Sequence, residues 1–513
     1  MKQIVQNLGK GVTEMYETPA PKVKPGYVLI KTSKTLLSSG TERMLIDFSR
    51  GNIVEKAKRQ PDKVKEVRDK IQSEGLLETL NAVHTKLQEP IEMGYCNVGV
   101  VIDVGEKVKT FQKGDRVVSN GGHAEFVNVP ENLCASIPKG VSDEEALFTV
   151  LGAVGLHGVR LLKPEMGETH VVSGLGLVGL LTAQFLKANG CTVLGIDPSK
   201  RNCEIAQELG IDCLDSKSAN DQTAWIDRRT KRLGVDGVVI TAATNSTEPI
   251  DVASKVCRKR GRIVLVGVSK IEIDRNIFYK KELTFQVSCS YGPGRYDRRY
   301  EEEGHDYPIE YVRWTEKRNF ETVLNLIGNN CIDTRRMITH RVEIDNALEA
   351  YKLIEEGIWH VGIVLNYSKC EKIDKVRIDS VRRKKYHGIG LSFIGAGNYA
   401  ARQLLPSFSK TKASFKAISA QGSIKATYLA KKYNFEYVTT DSDNVFRDAE
   451  TEGIIVSTRH DSHASYVVKA MEHGKNIFVE KPLCLTKAEL EAIEEKGREL
   501  IQRKKARSSQ QTR

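Results

Sequence analysis

Three glycines and one acid carry the plainest chemistry in this chain. Gly174, Gly176 and Gly179 lie in VVSGLGLVGLLTAQFLKANGCTVLGID, residues 171–197, and Asp197 follows Gly174 by 23 residues. The first glycine allows a tight turn, the second lets the backbone approach a pyrophosphate, and the third lets a helix pack on a strand. A helix opening at Leu177-Val178 would turn free N–H groups and the positive end of its dipole toward phosphates. Asp197 is placed to hydrogen-bond the adenosine ribose and to repel a 2′-phosphate, which favours NAD over NADP. Lys200-Arg201, directly after it, keep NADP in contention. The expected contacts of a dinucleotide are therefore Gly174, Leu175, Gly176, Leu177, Val178, Gly179, Asp197 and Lys200, with Gly267 closing a later strand.

These residues need particular elements around them. Val171-Val172 reads as a strand, and Leu180, Leu181, Ala183, Phe185 and Leu186 as a helix that stops at Asn189-Gly190. Thr192–Ile196 is the strand that delivers Asp197. Helix Lys200–Leu209, strand Val235–Thr241, helix Ile250–Cys257 and strand Gly261–Gly267 follow. Strands alternating with helices imply a parallel, doubly wound α/β sheet.

The pattern restarts near the C-terminal end. Strand Ile389–Ile394 runs into Gly395-Ala396-Gly397-Asn398-Tyr399-Ala400, a GxGxxA turn, and Ala401–Ser407 begins a helix. Later come strand Phe415–Ser419, helix Lys425–Tyr433, strand Gly453–Thr458, helix His463–His473 and the run Lys475–Val479 into Glu480-Lys481-Pro482. Here the second strand ends in Ser419-Ala420-Gln421 with no acid, so nothing repels NADP.

At 513 residues the chain is too long for one core, and 40% hydrophobic with 28% charged residues describes a globular protein. No apolar run nears the ~18 residues of a membrane span, and MKQIVQNLGKG lacks a signal-peptide core. The expected location is the cytoplasm, away from membranes. Ten cysteines are scattered without CxxC or zinc-ribbon spacing, and buried reduced thiols are the preferred reading. Of the formal charge of +12, residues 369–387 carry +5 and residues 496–513 carry +6. A charged linker and a basic tail, rather than a nucleic-acid groove, account for the imbalance.

The motifs GDRVVSN, GGHAEFVNVP, FTVLGAVGLHGVR, VVSGLGLVGLLTAQFLKANG and GRIVLVGV, in that order over about residues 1–367, resemble the medium-chain dehydrogenase/reductase family. FIGAGNYA, STRHDSHASYVVKAMEHGK and EKPLCLT resemble the Gfo/Idh/MocA oxidoreductases. The resemblance implies a GroES-like, β-rich catalytic domain plus a Rossmann domain, followed by a second Rossmann domain. Its boundaries are 1–150 (catalytic, with a helical insertion at 44–90), 151–290 (Rossmann) and 291–367 (return to the catalytic domain). A linker at 368–387, the second Rossmann domain at 388–490 and a basic tail at 491–513 complete it. Dimerisation is common in the first family, and amphipathic helices within 55–88 are candidates to take part.

Departures from the family pattern shape the expected site. Zinc members carry a Cys in a CGxD-type turn, where this chain has Ser38-Ser39-Gly40-Thr41-Glu42, and His in a GHE turn, where it has Gly94-Tyr95-Cys96. The third ligand position falls near Leu151, and the four-cysteine loop is missing. Neither zinc site has its ligands, so a zinc-free enzyme is expected, with no metal site. The resemblance places Glu42, Tyr95 and His123 toward the cleft, where Tyr95 or His123 would supply the proton that accompanies hydride transfer. The simpler reading of His123 is a turn residue beside Gly121-Gly122. In the second module the EKP motif implies that Glu480 and Lys481 lie by the nicotinamide, with Lys481 catalytic, and that Gly395, Gly397, Asn398, Tyr399 and Ala400 hold the dinucleotide. His463 matches a motif histidine. A further α/β domain normally completes that module. Here KGRELIQRKKARSSQQTR follows, so incomplete chemistry is expected there.

Residues 290–315, SYGPGRYDRRYEEEGHDYPIEYVRWT, hold five tyrosines, a tryptophan and four arginines. Such a segment either lines a polar substrate pocket or forms a surface or interface loop. The leading function is an NAD(P)-dependent, zinc-independent oxidoreductase acting on a hydroxyl or carbonyl carbon of a small molecule. The resemblance suggests a sugar or sugar nucleotide of polysaccharide synthesis. A non-catalytic dinucleotide-binding or scaffold protein is the alternative.

Overall fold

A computed structural model describes residues 1–51, 87–218, 221–368, 370–378 and 388–511, with side chains through 502. Most of the expected helical insertion, including the pair of helices offered for dimerisation, lies outside the described residues. The chain divides into two compact units: Val23–Met44 with Met93–Lys369, and Met1–Lys22 with Leu45–Glu92 and Cys370–Arg513.

In the first unit, six parallel strands follow the order Asp212–Asp215, Thr192–Asp197, Thr169–Ser173, Val235–Ile240, Cys257–Leu265 and Thr284–Val287. This is the doubly wound order in which the first strand is central and the crossover reverses beside it, opening a crevice at the strand C-termini. Val171, Leu194, Val238, Ile240 and Ile263 are buried with Trp225 and Ile226 of a covering helix. Apolar strand runs are what a sheet covered on both faces requires.

A second, largely antiparallel sheet of seven strands has at its centre Tyr27–Leu37, flanked by Asn97–Val104 and Gly362–Asn366. Strand Gly362–Asn366, from the later part of the unit, thus pairs with Tyr27–Leu37 in this sheet. Two helices, Asp143–Ala146 and Thr149–Leu162, lead from this sheet into the parallel one. Ser142 caps the first through a reciprocal capping box with Glu145.

In the other unit five parallel strands run Tyr437–Thr439, Ser414–Ser419, Gly390–Ile394, Gly453–Val456 and Asn476–Val479. The expected linker at 368–387 is corrected in part. Lys375–Arg377 is a strand that pairs antiparallel with Tyr437–Thr439 and extends this sheet. The expected basic tail is helical: one helix runs Lys487–Gln511.

The N-terminal hairpin, Lys2–Asn7 with Val12–Glu17, also belongs to this second unit, which cuts across the expected 1–150 domain. Thr18 Oγ1 lies 2.7 Å from Thr427 Oγ1, Thr440 Oγ1 donates to Ala20 O at 2.7 Å, and Lys431 sits over the Tyr16 ring. These partners stand about four hundred residues apart, beyond the reach of local pattern. Cys203 and Cys213 form a disulfide, correcting the expectation of reduced thiols for these two. The ladder that pairs Gly195 with Cys213 brings them together.

Candidate active site

The first dinucleotide cradle is built from glycines that do distinct jobs. Gly174 has φ +94°, and a Cβ there would meet Ala242 N at 2.7 Å. At Gly179 a Cβ would lie 1.9 Å from Gly174 O, so the helix can approach the strand only without one. Gly176 differs: nothing lies within 4 Å of its missing Cβ. The open space stands at the start of helix Leu177–Ala188, which has no side-chain cap, so its first N–H groups remain for an anion. Leu175 and Leu177 are buried and Val178 half-buried, so this stretch offers backbone rather than side chain. Gly267 brings its strand end against Ala242 O, where a Cβ would sit at 2.2 Å.

Asp197 is buried at the tip of its strand. Its carboxylate accepts from Leu175 N at 2.6 Å, Ser199 N at 2.7 Å and Asn202 Nδ2 at 3.1 Å. Burial raises its pKa, and these donors pull the other way. The acid therefore fastens the glycine turn to the second strand. Lys200 is exposed and faces Glu204 at 4.0 Å.

Three of the four expected catalytic residues come together in the first unit. Glu42, in the first turn of helix Ser39–Arg50, is 1% exposed. Its Oε1 accepts the Ser38 N–H at 2.9 Å and faces His123 Nε2 at 3.3 Å, while Tyr351 donates its hydroxyl to Oε2. His123 is fully buried, with Nδ1 at 2.8 Å from Thr35 Oγ1, which in turn meets the Tyr367 hydroxyl at 3.1 Å. Its ring fills the space over Gly94, where a Cβ would sit 2.6 Å from ring atoms. His123 is thus a turn residue and a network member at once.

Tyr95 is half-buried beside this network. Its hydroxyl donates to Ser38 Oγ at 2.8 Å and lies 3.0 Å from Thr41 Oγ1. Burial, then the neighbouring Cys96, pushes the phenol well above its usual range, so it stays protonated. Cys96 is likewise held as the neutral thiol by burial and Glu42. Burial and Glu42 raise Tyr351 too. Sequence reasoning missed Tyr351, Thr35 and Tyr367. Tyr351 sits on a helix 309 residues from Glu42, with nothing local to signal the contact.

Lys481 belongs to the second unit, apart from the other three in this division of the chain. There Gly395 has φ +112° and a Cβ would meet Ser457 O at 2.5 Å, while at Gly397 the nearest atom lies at 3.8 Å. Ala400–Leu404 forms a π-helical turn at the head of the following helix, and Tyr399 is exposed. Asn398 Oδ1 accepts from Lys425, which also pairs with Glu89. Glu480 is half-buried and Lys481 exposed, and the buried His463 ring bonds Pro482 O at 2.7 Å and Thr458 O at 3.3 Å. His463 holds the EKP turn in place.

The tyrosine-rich segment is partly core. Tyr291 and Tyr300 are buried, Tyr300 stacks on Tyr307 with centroids 5.4 Å apart, and Tyr296 and Tyr311 are exposed.

With this geometry in view, the likenesses to known proteins fall into place. The zinc-binding dehydrogenase family matches residues 178–304, and the alcohol dehydrogenase GroES-like domain matches 70–139. The NAD-binding Rossmann fold of the Gfo/Idh/MocA oxidoreductase family matches 389–503. (R,R)-butanediol dehydrogenase of Bacillus subtilis is 27% identical over 298 residues, 52% of this chain and 76% of its own. D-guloside 3-dehydrogenase of Escherichia coli is 27% identical over 270 residues, 51% and 72% respectively. An alcohol dehydrogenase from Escherichia coli CFT073, solved with NADH, shares the fold with TM-score 0.53 at 18% identity, covering 71% of this chain and 99% of that one. By these likenesses the chain resembles a medium-chain dehydrogenase/reductase joined to a Gfo/Idh/MocA-type nucleotide-binding domain. It is an NAD(P)-dependent oxidoreductase.

Proposed function

We propose that the first unit transfers hydride between NAD(P) and a CH–OH or carbonyl carbon of a polyol or sugar without zinc. The observation that carries this reading is the filled hydrogen-bond network around Glu42. Its carboxylate oxygens are spent on Ser38 N–H, His123 and Tyr351, and both His123 ring nitrogens are engaged. A zinc ion needs thiolate, imidazole or carboxylate lone pairs free to coordinate it. The residues at this place do not fit one.

A dinucleotide in the Gly174–Gly179 cradle supplies or takes up the hydride. The chain's own contribution is the proton. Tyr95, kept as the neutral phenol, donates it to the oxygen that becomes the hydroxyl, and Ser38 and Thr41 orient the phenol. A group held protonated suits the reduction direction. Asp197 supports a preference for NAD. A sugar-type substrate is supported by the relatives' names. The polysaccharide setting, a cytoplasmic location and a homodimer are expectations that belong to the same proposal.

The test is reduction of a panel of ketoses and diketones by NADH with the full chain and Tyr95→Phe. Loss of a proton donor should lower kcat by about 10²-fold or more with little change in NADH affinity. An unchanged kcat removes Tyr95 from the chemistry, and stoichiometric zinc in the purified protein would sink the metal-free reading.

A further inference from the structure

One charged group in the first unit lacks the partner that its peers possess. Of the half-buried arginines there, Arg262 meets Glu168, Arg295 meets Glu301 and Arg318 meets Asp306. Arg160 meets no carboxylate among the described residues. Its guanidinium lies over the Trp314 ring, 3.4 Å from the centroid, and that of Arg313 lies over the same ring at 4.0 Å. Arg313 is exposed and also has no carboxylate partner among the described residues. Two like charges therefore share one aromatic platform with nothing to neutralise them.

The platform is held firmly. Arg160 Nε donates to Asn319 Oδ1 at 2.9 Å, and Nη2 to Thr322 Oγ1 at 3.4 Å. Asn319 is fully buried and anchored in turn to Tyr291 O at 2.8 Å. Nη1 of Arg160 makes no bond within the described chain. Burial first, then the nearby Arg313, lowers the pKa of Arg160 to about 10.

We propose that Arg160 and Arg313, seated on Trp314, form a binding site for a dianionic phosphate group. A planar guanidinium presents paired N–H donors matched to phosphate oxygens, and stacking on an aromatic ring fixes its plane. At these distances the two guanidiniums sandwich the ring, and a dianion at its edge can take an N–H from each.

The source of the phosphate is either the free ion or a phosphomonoester, and both can be supplied. The full chain, with NADH saturating the cradles, is titrated calorimetrically with inorganic phosphate and with glycerol 3-phosphate, against chloride at matched ionic strength. Wild type, Arg313→Gln and Arg160→Gln are compared, with Arg299→Gln as an exposed control in the same segment. The site predicts saturable binding of at least one probe, weakened about tenfold or more in Arg313→Gln and unchanged in Arg299→Gln. Tighter glycerol 3-phosphate would assign a phosphomonoester, and equal or tighter phosphate the free ion. Absence of binding to wild type, or binding that Arg313→Gln leaves intact, overturns the proposal. Arg313 is exposed, so its replacement reads the site without threatening the fold. If NADH itself fails to bind, the oxidoreductase reading falls, and the Arg313→Gln comparison still decides this one.

Discussion

Glu316 should make the first unit less stable as pH rises, and Glu316→Gln should remove that dependence. The side chain is fully buried, and no donor reaches either carboxylate oxygen. Its polar neighbour is Glu301, whose carboxylate is already paired with Arg295 at 2.6 Å. A hydrogen bond between two carboxyl groups requires a proton on one of them. Burial first, then Glu301, pushes Glu316 from 4.5 up to about 8. The folded state therefore keeps a proton that the unfolded chain gives up above its own pKa. Stability is fully present below about pH 4.5, falls as pH rises, and levels off above about 8. At about 1.4 kcal/mol per pH unit the whole loss is about 5 kcal/mol at most, about 2–3 kcal/mol of it between pH 6 and 8. The figure is a ceiling, because Glu316 sits in the first turn of helix Glu316–Gly328, whose dipole favours the ionised form. The assay is urea unfolding of both proteins at pH 6, 7 and 8. Gln can still donate to Glu301, so the variant should gain on wild type by up to about 2–3 kcal/mol over that range. Parallel curves, or a gap that narrows as pH rises, would refute the reasoning.

Gly176→Ala places a methyl in open space, so folding should be intact while NADH affinity in the first cradle falls about tenfold or more, read by fluorescence titration. Gly174→Ala meets Ala242 and a φ of +94°, so it should lower the unfolding midpoint by about 1–3 kcal/mol equivalent, measured by calorimetry. Tyr351→Phe leaves Glu42 Oε2 without a donor and should destabilise the unit by about 1–3 kcal/mol in denaturant melts.

The sequence was most readable where chemistry constrains the backbone. A tight turn that packs a helix on a strand leaves its spacing in the chain: Gly174 adopts φ +94° and Gly179 admits no Cβ, while Gly176 borders open space. Strand and helix alternation likewise settles to within a few residues in both nucleotide folds. What stayed hidden was pairing over long separations. Nothing near Tyr351 announces Glu42, and nothing in residues 1–22 announces Thr427 or Thr440. The strand Lys375–Arg377 was read as linker because three charged-flanked residues carry no period of their own. It exists because the edge at Tyr437–Thr439 offers it a ladder.

The same distinction bears on the proposed zinc-free chemistry. The turn after strand Tyr27–Leu37 and the Gly94-Tyr95-Cys96 turn meet because the catalytic sheet brings them together, whatever side chains they carry. In this chain the side chains delivered there are Ser38, Glu42, Tyr95 and Cys96, and the return helix adds Tyr351. A buried carboxylate is tolerable only if its oxygens find donors. Glu42 finds Ser38, His123 and Tyr351, and in doing so it fixes Ser38, the acceptor of the Tyr95 hydroxyl. Glu42 thus acts through Ser38 on the half-buried phenol of Tyr95. On this argument Glu42→Gln should disturb Tyr95 as well as stability: its amide N–H cannot accept from Ser38, His123 or Tyr351, so one of the three must turn away. If kcat for NADH-dependent reduction falls with Glu42→Gln as with Tyr95→Phe, and the double variant is no slower than either, the two residues work as one unit. Additive losses would separate them and leave Glu42 a purely structural acid.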